Sequence, residues 1–310
     1  MNNNELLLSD IARTTEEIFS LDQLRERLNS KKKLTIKFGA DVTAPFLHLG
    51  HAVNLWMMRR FQEDGHKVIF LIGDFTTRIG DPTGKSDPRP QIRRENIERD
   101  GLAFIEQIKN ILITDNPEVF EVRRNSEWFD KMSVDKFLSL VSLTTHSRLI
   151  SRDMFQKRID ENKEIYTHEL LYPILQGYDS FELNSDLTIV GSDQLFNEMM
   201  GKFYQEKLGL KPQTIITSKI TPGLSGGAKQ SKSLNNYVAI TDSPRDKYGK
   251  IMTLKDELII SWMKVYTTLP LLEIDEYERR LKEGTNPLEI KHIPARTTVP
   301  RHNRQNAPRS

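Results

Sequence analysis

Two short segments far apart in the chain carry side chains suited to holding a polyphosphate. The first is His48-Leu49-Gly50-His51, two imidazoles around a glycine at the expected start of a helix. The second is Lys229-Gln230-Ser231-Lys232-Ser233, two lysines that follow Leu224-Ser225-Gly226-Gly227-Ala228 in a glycine-hinged loop able to close over a charged ligand. A helix amino terminus offers unpaired backbone N–H groups and the positive end of a dipole, and both favour bound phosphate. Gly50 would let a nucleotide approach the backbone closely. Neither lysine needs to act as a base, because nucleotidyl transfer is helped chiefly by positioning the reactants and stabilising negative charge as it spreads. Taken singly, the histidines fit a helix surface and the lysines fit solvated charges. Together they predict a cage for the phosphates of ATP, as an enzyme that turns a carboxylate into its adenylate requires. A metal site at the two histidines lacks a third ligand at suitable spacing.

Other polar groups fall close by. The stretch from Gly39 to Leu47 adds the carboxylate of Asp41 and the hydroxyl of Thr43 at the same strand-to-helix crossing. Gly80-Asp81-Pro82-Thr83-Gly84-Lys85-Ser86 imitates a phosphate-binding loop, but its glycines are one residue too close and Asp81 and Pro82 stand where N–H groups should face phosphate. Asp81 suits a cation such as a substrate ammonium; the same residue also fits a plain turn.

The elements that must position these groups read as alternating strands and helices. Leu34-Thr35-Ile36-Lys37-Phe38 predicts a strand ending at Gly39, residues 52–64 a helix closed by Gly65, and Val68-Ile69-Phe70-Leu71-Ile72 a strand buried on both faces. The pattern recurs where Leu187-Thr188-Ile189-Val190 runs into Gly191-Ser192-Asp193-Gln194 and then a helical stretch. The expected fold is α/β, a Rossmann-like doubly wound parallel sheet whose ligands bind beyond the carboxyl ends of the strands, and each polar motif sits just past such an end. Residues 1–234 form the expected catalytic domain and 235–290 a smaller helical one. Residues 291–310 carry Pro294, Pro300 and Pro308 with Lys291, Arg296, Arg301, Arg304, Arg309 and no acidic residue, which predicts an extended or disordered tail.

A chain of 310 residues can bury a sizeable core, and with no cysteine it has no disulfide, thiolate metal site or cysteine nucleophile. The start lacks a basic segment followed by an apolar one, and no apolar run approaches the length of a membrane span, so a cytoplasmic protein is expected. A net charge of +2 neither supports nor excludes an RNA partner.

The two signatures, with Asp41-Val42-Thr43-Ala44-Pro45-Phe46-Leu47-His48-Leu49-Gly50-His51, the run from Ile72 to Lys85, Leu171-Tyr172-Pro173-Ile174-Leu175-Gln176-Gly177-Tyr178-Asp179 and Gly191-Ser192-Asp193-Gln194, resemble bacterial tyrosyl-tRNA synthetases, class I enzymes, over most of residues 30–290. The chain is similar to the branch in which a lysine, here Lys37, replaces the tyrosine that touches the substrate phenol. Tryptophanyl-tRNA synthetases share both signatures, but the spacing of Tyr172, Gln176 and Asp179 argues against them. That spacing places all three on one helix face.

The resemblance implies attack of the tyrosine carboxylate on the α-phosphate of Mg2+-bound ATP, then transfer to tRNA(Tyr), by a homodimer. It assigns Tyr172, Gln176 and Asp81 to the amino group of tyrosine, Asp179 to the phenolic hydroxyl, Gln194 to the carboxylate and Asp193 to the ribose. Asp41, Gly50 and Gly191 join the ATP site, and Thr43, His48, His51, Lys229 and Lys232 stabilise the departing pyrophosphate. Val42 and Gln230 stand where the family usually has proline and methionine. The family's terminal RNA-binding module is not evident, so adenylate formation with slow tRNA charging is expected. A non-catalytic relative that binds RNA or protein, or another adenylate-forming enzyme, is the competing reading; the retained ATP groups speak against the first and the tyrosine-pocket residues against the second.

Overall fold

A computed structural model describes residues 3–30, 32–42, 46–83, 93–227, 229–230 and 234–301. Among the described residues, six strands form one sheet: β1 (Thr15–Phe19), β2 (Thr35–Ala40), β3 (Lys67–Ile72), β4 (Phe120–Arg124), β5 (Leu187–Gly191) and β6 (Thr214–Ser218). Their order is β1-β6-β5-β2-β3-β4, with β1 antiparallel to β6 and every other pair parallel. Buried parallel strands read as unbroken apolar runs, as β3 does, because helices cover both faces.

The helix Leu49–Glu63 joins β2 to β3 and begins three residues earlier than its apolar spacing suggests, because His48 caps it. β2 pairs with β3 from Thr35↔Lys67 to Ala40↔Ile72, but with β5 only at Ile36↔Leu187 and Lys37↔Thr188. Beyond Lys37, therefore, β2 and β5 part. Here the winding also reverses, since β3 and β4 are added on one side and β6 on the other. A crevice at such a switch point, outside the carboxyl ends of the strands, is where open α/β sheets bind ligands.

One apolar cluster runs from Ile36, Leu55, Phe61 and Phe70 under the sheet to Ile251, Leu254 and Trp262 in the later helices. A second joins the helices Thr167–Glu182 and Leu195–Lys207 through Ile174, Tyr178, Met200 and Tyr204. These two helices touch at Gly177, where a β-carbon would lie 2.9 Å from Tyr204 and 3.0 Å from the Met200 carbonyl. The resulting closeness brings Gln176 within reach of Glu198.

The proline-rich terminus departs from expectation. Pro287–Arg301 is a helix, so residues 291–301 are neither extended nor disordered. Pro287 occupies the first turn, where its missing N–H would have had no partner anyway. Pro294 forfeits one backbone bond, and burial of Ile290 and Ala295 in the main core offsets that loss. Residues 302–310 lie outside the described residues. Among the described residues, no helix is long and apolar enough to cross a membrane.

Candidate active site

The two signatures meet across a short stretch of strand-like pairing. Leu49 N–H donates to Val238 O at 3.0 Å and Ile240 N–H to Leu47 O at 2.9 Å, with His48 opposite Ala239. The segment just after the lysine loop is thereby fastened to the start of the histidine helix. His48 caps that helix: its Nδ1 accepts from Gly50 N–H at 3.1 Å, and His51 Nδ1 accepts from His48 N–H at 3.2 Å. An imidazole that accepts at Nδ1 has its N–H at Nε2 when neutral. Gly50 has a reason unlike the one its position suggests. A β-carbon there would lie 2.9 Å from the His48 ring, so glycine makes room for the cap.

Lys229 pairs with Asp193, Nζ to Oδ2 at 2.5 Å, and is 49 % exposed. The groups expected on phosphate and ribose thus contact each other across the crevice. Gln230 is buried; its Nε2 donates to Tyr266 Oη at 2.7 Å and its Oε1 accepts from Val238 N–H at 3.3 Å. A methionine would fill that place with neither bond. Val42 N–H donates to Thr77 Oγ1 at 2.9 Å, a bond that proline could not make. Thr43 and Lys232 lie outside the described residues.

The other end of the crevice is a buried polar network. Tyr172 Oη donates to Asp41 Oδ2 at 3.0 Å, and Thr76 Oγ1 donates to Asp41 Oδ1 at 2.8 Å. Asp41, expected on the nucleotide side, therefore stands at the junction of the two ends. Asp179 accepts from Trp128 Nε1 at 3.1 Å and Asn125 Nδ2 at 3.3 Å. Burial pushes its carboxyl up to about 8, against the nearby Lys37 charge and these two donors. Burial, with Asp41 and Asp81 adding to it, also drives the Tyr172 hydroxyl well above the usual phenol range. Deeper still, Lys37 Nζ lies 2.8 Å from Glu198 Oε2, both side chains being 2 % exposed, and donates to Ser180 Oγ at 2.7 Å. Gln176 Nε2 and Gln213 Nε2 each donate to Glu198 at 2.9 Å. Glu198 is thus met by donors on both oxygens, as a buried charge requires.

At the rim, Gln194 Nε2 donates to Asp81 Oδ2 at 2.9 Å, and Thr83 N–H donates to Asp81 Oδ1 at 2.9 Å. Gly191 leaves space for Asp193, whose Oδ1 would stand 2.6 Å from a β-carbon there. The arrangement offers acceptors for an ammonium and a hydroxyl at one end and donors for polyphosphate at the other.

The family model described as tRNA synthetases class I (W and Y) matches residues 29–308. The chain belongs to this family of class I tRNA synthetases. This synthetase is 41 % identical over 307 residues to the tyrosine–tRNA ligase of Haemophilus influenzae, spanning 99 % of the chain and 76 % of that protein. It is 42 % identical to the tyrosine–tRNA ligase of Thermotoga maritima, over 91 % of the chain and 70 % of that protein. Its fold matches the tyrosyl-tRNA synthetase of Aeropyrum pernix with a TM-score of 0.76 at 21 % identity, covering 96 % of the chain and 92 % of that one. The tyrosyl-tRNA synthetase of Archaeoglobus fulgidus, solved with L-tyrosine, matches with a TM-score of 0.75 at 21 % identity, over 96 % and 97 %.

Several groups of the synthetase's crevice escaped sequence reasoning. Asn125 and Trp128 come from the segment just after β4, Thr76 from the turn after β3, and Glu198 from the helix Leu195–Lys207. Lone polar residues on separate elements have no shared spacing to betray them. For Thr76 there was a usable signal, since it lies four residues beyond the end of β3 at the expected crevice.

Proposed function

We propose that the chain is a tyrosine–tRNA ligase that joins tyrosine and ATP into tyrosyl-adenylate and pyrophosphate, then passes the tyrosyl group to tRNA(Tyr). An oxygen of the tyrosine carboxylate attacks the α-phosphorus of ATP. The bond from that phosphorus to the bridging oxygen of the β-phosphate breaks, and pyrophosphate leaves with the electron pair. His48, His51 and Lys229, together with Thr43 and Lys232, hold the departing phosphates as their charge grows, which lowers the barrier without any covalent enzyme intermediate. Mg2+ enters with ATP; the described residues hold no cluster of acidic or histidine side chains for a resident ion.

One observation carries the choice of amino acid: Tyr172, Gln176 and Asp179 lie on one helix face, with Asp179 buried and gripped by Asn125 and Trp128. A phenolic hydroxyl would find its partner at Asp179, while Tyr172, Gln176 and Asp81 face the amino group and Gln194 the carboxylate. Asp193, Asp41, Gly50 and Gly191 border the nucleotide. We infer a homodimer from the short helix Val134–Val141, whose Val134 and Leu138 are exposed, and a cytoplasmic site of action from a chain without cysteine.

ATP–pyrophosphate exchange with each amino acid in turn tests the reading. Tyrosine should support exchange well above all others. Better exchange with tryptophan, or exchange that ignores added amino acid, would overturn it.

A further inference from the structure

At the rim of the amino-acid pocket lies a cation that none of the motifs predicts. Arg152 precedes the helix Asp153–Asp160, and only 7 % of it is exposed. Its Nη2 donates to Thr83 Oγ1 at 2.5 Å, so it adjoins the group in which Thr83 and Gln194 hold Asp81. The guanidinium carbon lies 5.4 Å from the centre of the Phe196 ring. Nη1 is buried and has no hydrogen-bond partner. A guanidinium stays charged at physiological pH, so a buried amino group on it without an acceptor is costly and calls for an anionic one.

The charges around it indicate which anion. Burial lowers the affinity of Arg152 for its proton, and Asp81, Tyr172 and Asp193 act in the opposite sense, so all three lie within its field. A zwitterionic amino acid whose ammonium sits beside Asp81 must bring its own carboxylate into a region already rich in carboxylates. Lys37 faces Glu198 and Lys229 faces Asp193, whereas Arg152 presents a buried donor with no partner. Building on the tyrosine-ligase reading above, we infer that Arg152 is the charge partner of the substrate's α-carboxylate. Thr83 fixes one amino group of the fork, and the other meets a carboxylate oxygen. The contact also orients the nucleophile, since holding one oxygen directs the second toward the α-phosphorus.

Tyrosinol, which keeps the ammonium and phenol but carries CH2OH in place of the carboxylate, separates this role from a structural one. Equilibrium binding of tyrosine and of tyrosinol is compared in the parent and in Arg152→Ala, with Arg152→Gln carrying the same comparison should the alanine variant unfold. Tyrosine affinity should fall about tenfold to a hundredfold, the range lost with one charge-assisted hydrogen bond, while tyrosinol affinity stays close to the parent value. Arg152→Lys should lie between. Equal weakening of both ligands would make Arg152 a brace for Thr83 and Asp81 and overturn the proposal, as would no change in either. A parent chain that binds neither ligand would instead overturn the tyrosine-ligase reading.

Discussion

The two ends of the crevice are built on opposite principles. At the amino-acid end, Lys37, Glu198 and Gln213 are buried and joined with half-buried Gln176, and buried Asp179 is held by Asn125 and Trp128, before any ligand arrives. The phosphate end rests on a half-exposed lysine paired with Asp193 and on histidines whose Nδ1 atoms are committed to a helix start. A preformed pocket loses little order on binding and can test each atom of a small substrate. An end that must release pyrophosphate and admit the terminus of a large RNA gains from groups held by weaker, solvent-screened contacts.

Stability should break the contrast most sharply. Lys37→Met leaves Glu198 as a buried charge without its cation and should cost about 3 to 5 kcal/mol in denaturant unfolding. Adding Glu198→Gln should recover most of the loss. Lys229→Met removes a solvent-screened ion pair and should cost less than about 1 kcal/mol. Comparable losses for the two lysines would erase the distinction.

Kinetics sharpens it from the other side. His48→Ala should slow adenylate formation by about 2.7 to 4 kcal/mol of barrier, roughly a hundredfold or more, while tyrosine binding barely changes. Stopped-flow rates and equilibrium binding separate the two. His48→Asn, which can still cap the helix, should recover the cap's share of stability, about 1 kcal/mol, without recovering the rate. A variant that turns over normally but binds tyrosine poorly would place His48 at the wrong end.

The last test reads a proton. Asp179 is raised from 3.8 to about 8, so between these values the folded protein keeps a proton that the unfolded chain has released. Stability contributed by this group therefore falls as pH rises through that window, by at most about 1.4 kcal/mol per pH unit, and Asp179→Asn should flatten that part of the profile. Near neutral pH, a phenol donating to ionised Asp179 should release up to one proton on tyrosine binding. Calorimetry in buffers of different ionisation enthalpy reads that release, which Asp179→Asn should abolish.

Much of this was legible because it follows from periodicity and position. The apolar run of β3, the strand before Gly191 and the motifs at strand ends pointed to the switch point, and Tyr172, Gln176 and Asp179 do share a helix face. What escaped was set by tertiary contacts. Pro294 argues locally against a helix, yet Ile290 and Ala295 find the core. Gly50 yields to the His48 ring, a contact within one turn that no spacing rule encodes. Arg152, Asn125 and Glu198 matter through neighbours supplied by other elements, so each looked like any polar surface residue.

The pairing of residues 47–49 with 238–240 also dictates an order of events during synthesis. The buried network of the amino-acid end draws on residues between Lys37 and Gln213. The phosphate end needs Lys229, Val238 and Ile240, and Gln230 leans on Tyr266. A chain emerging from the ribosome therefore has every residue of its amino-acid pocket in hand while its nucleotide site still lacks half its walls. On the tyrosine-ligase reading, such a nascent chain has the groups proposed to hold tyrosine before it has those proposed to activate it.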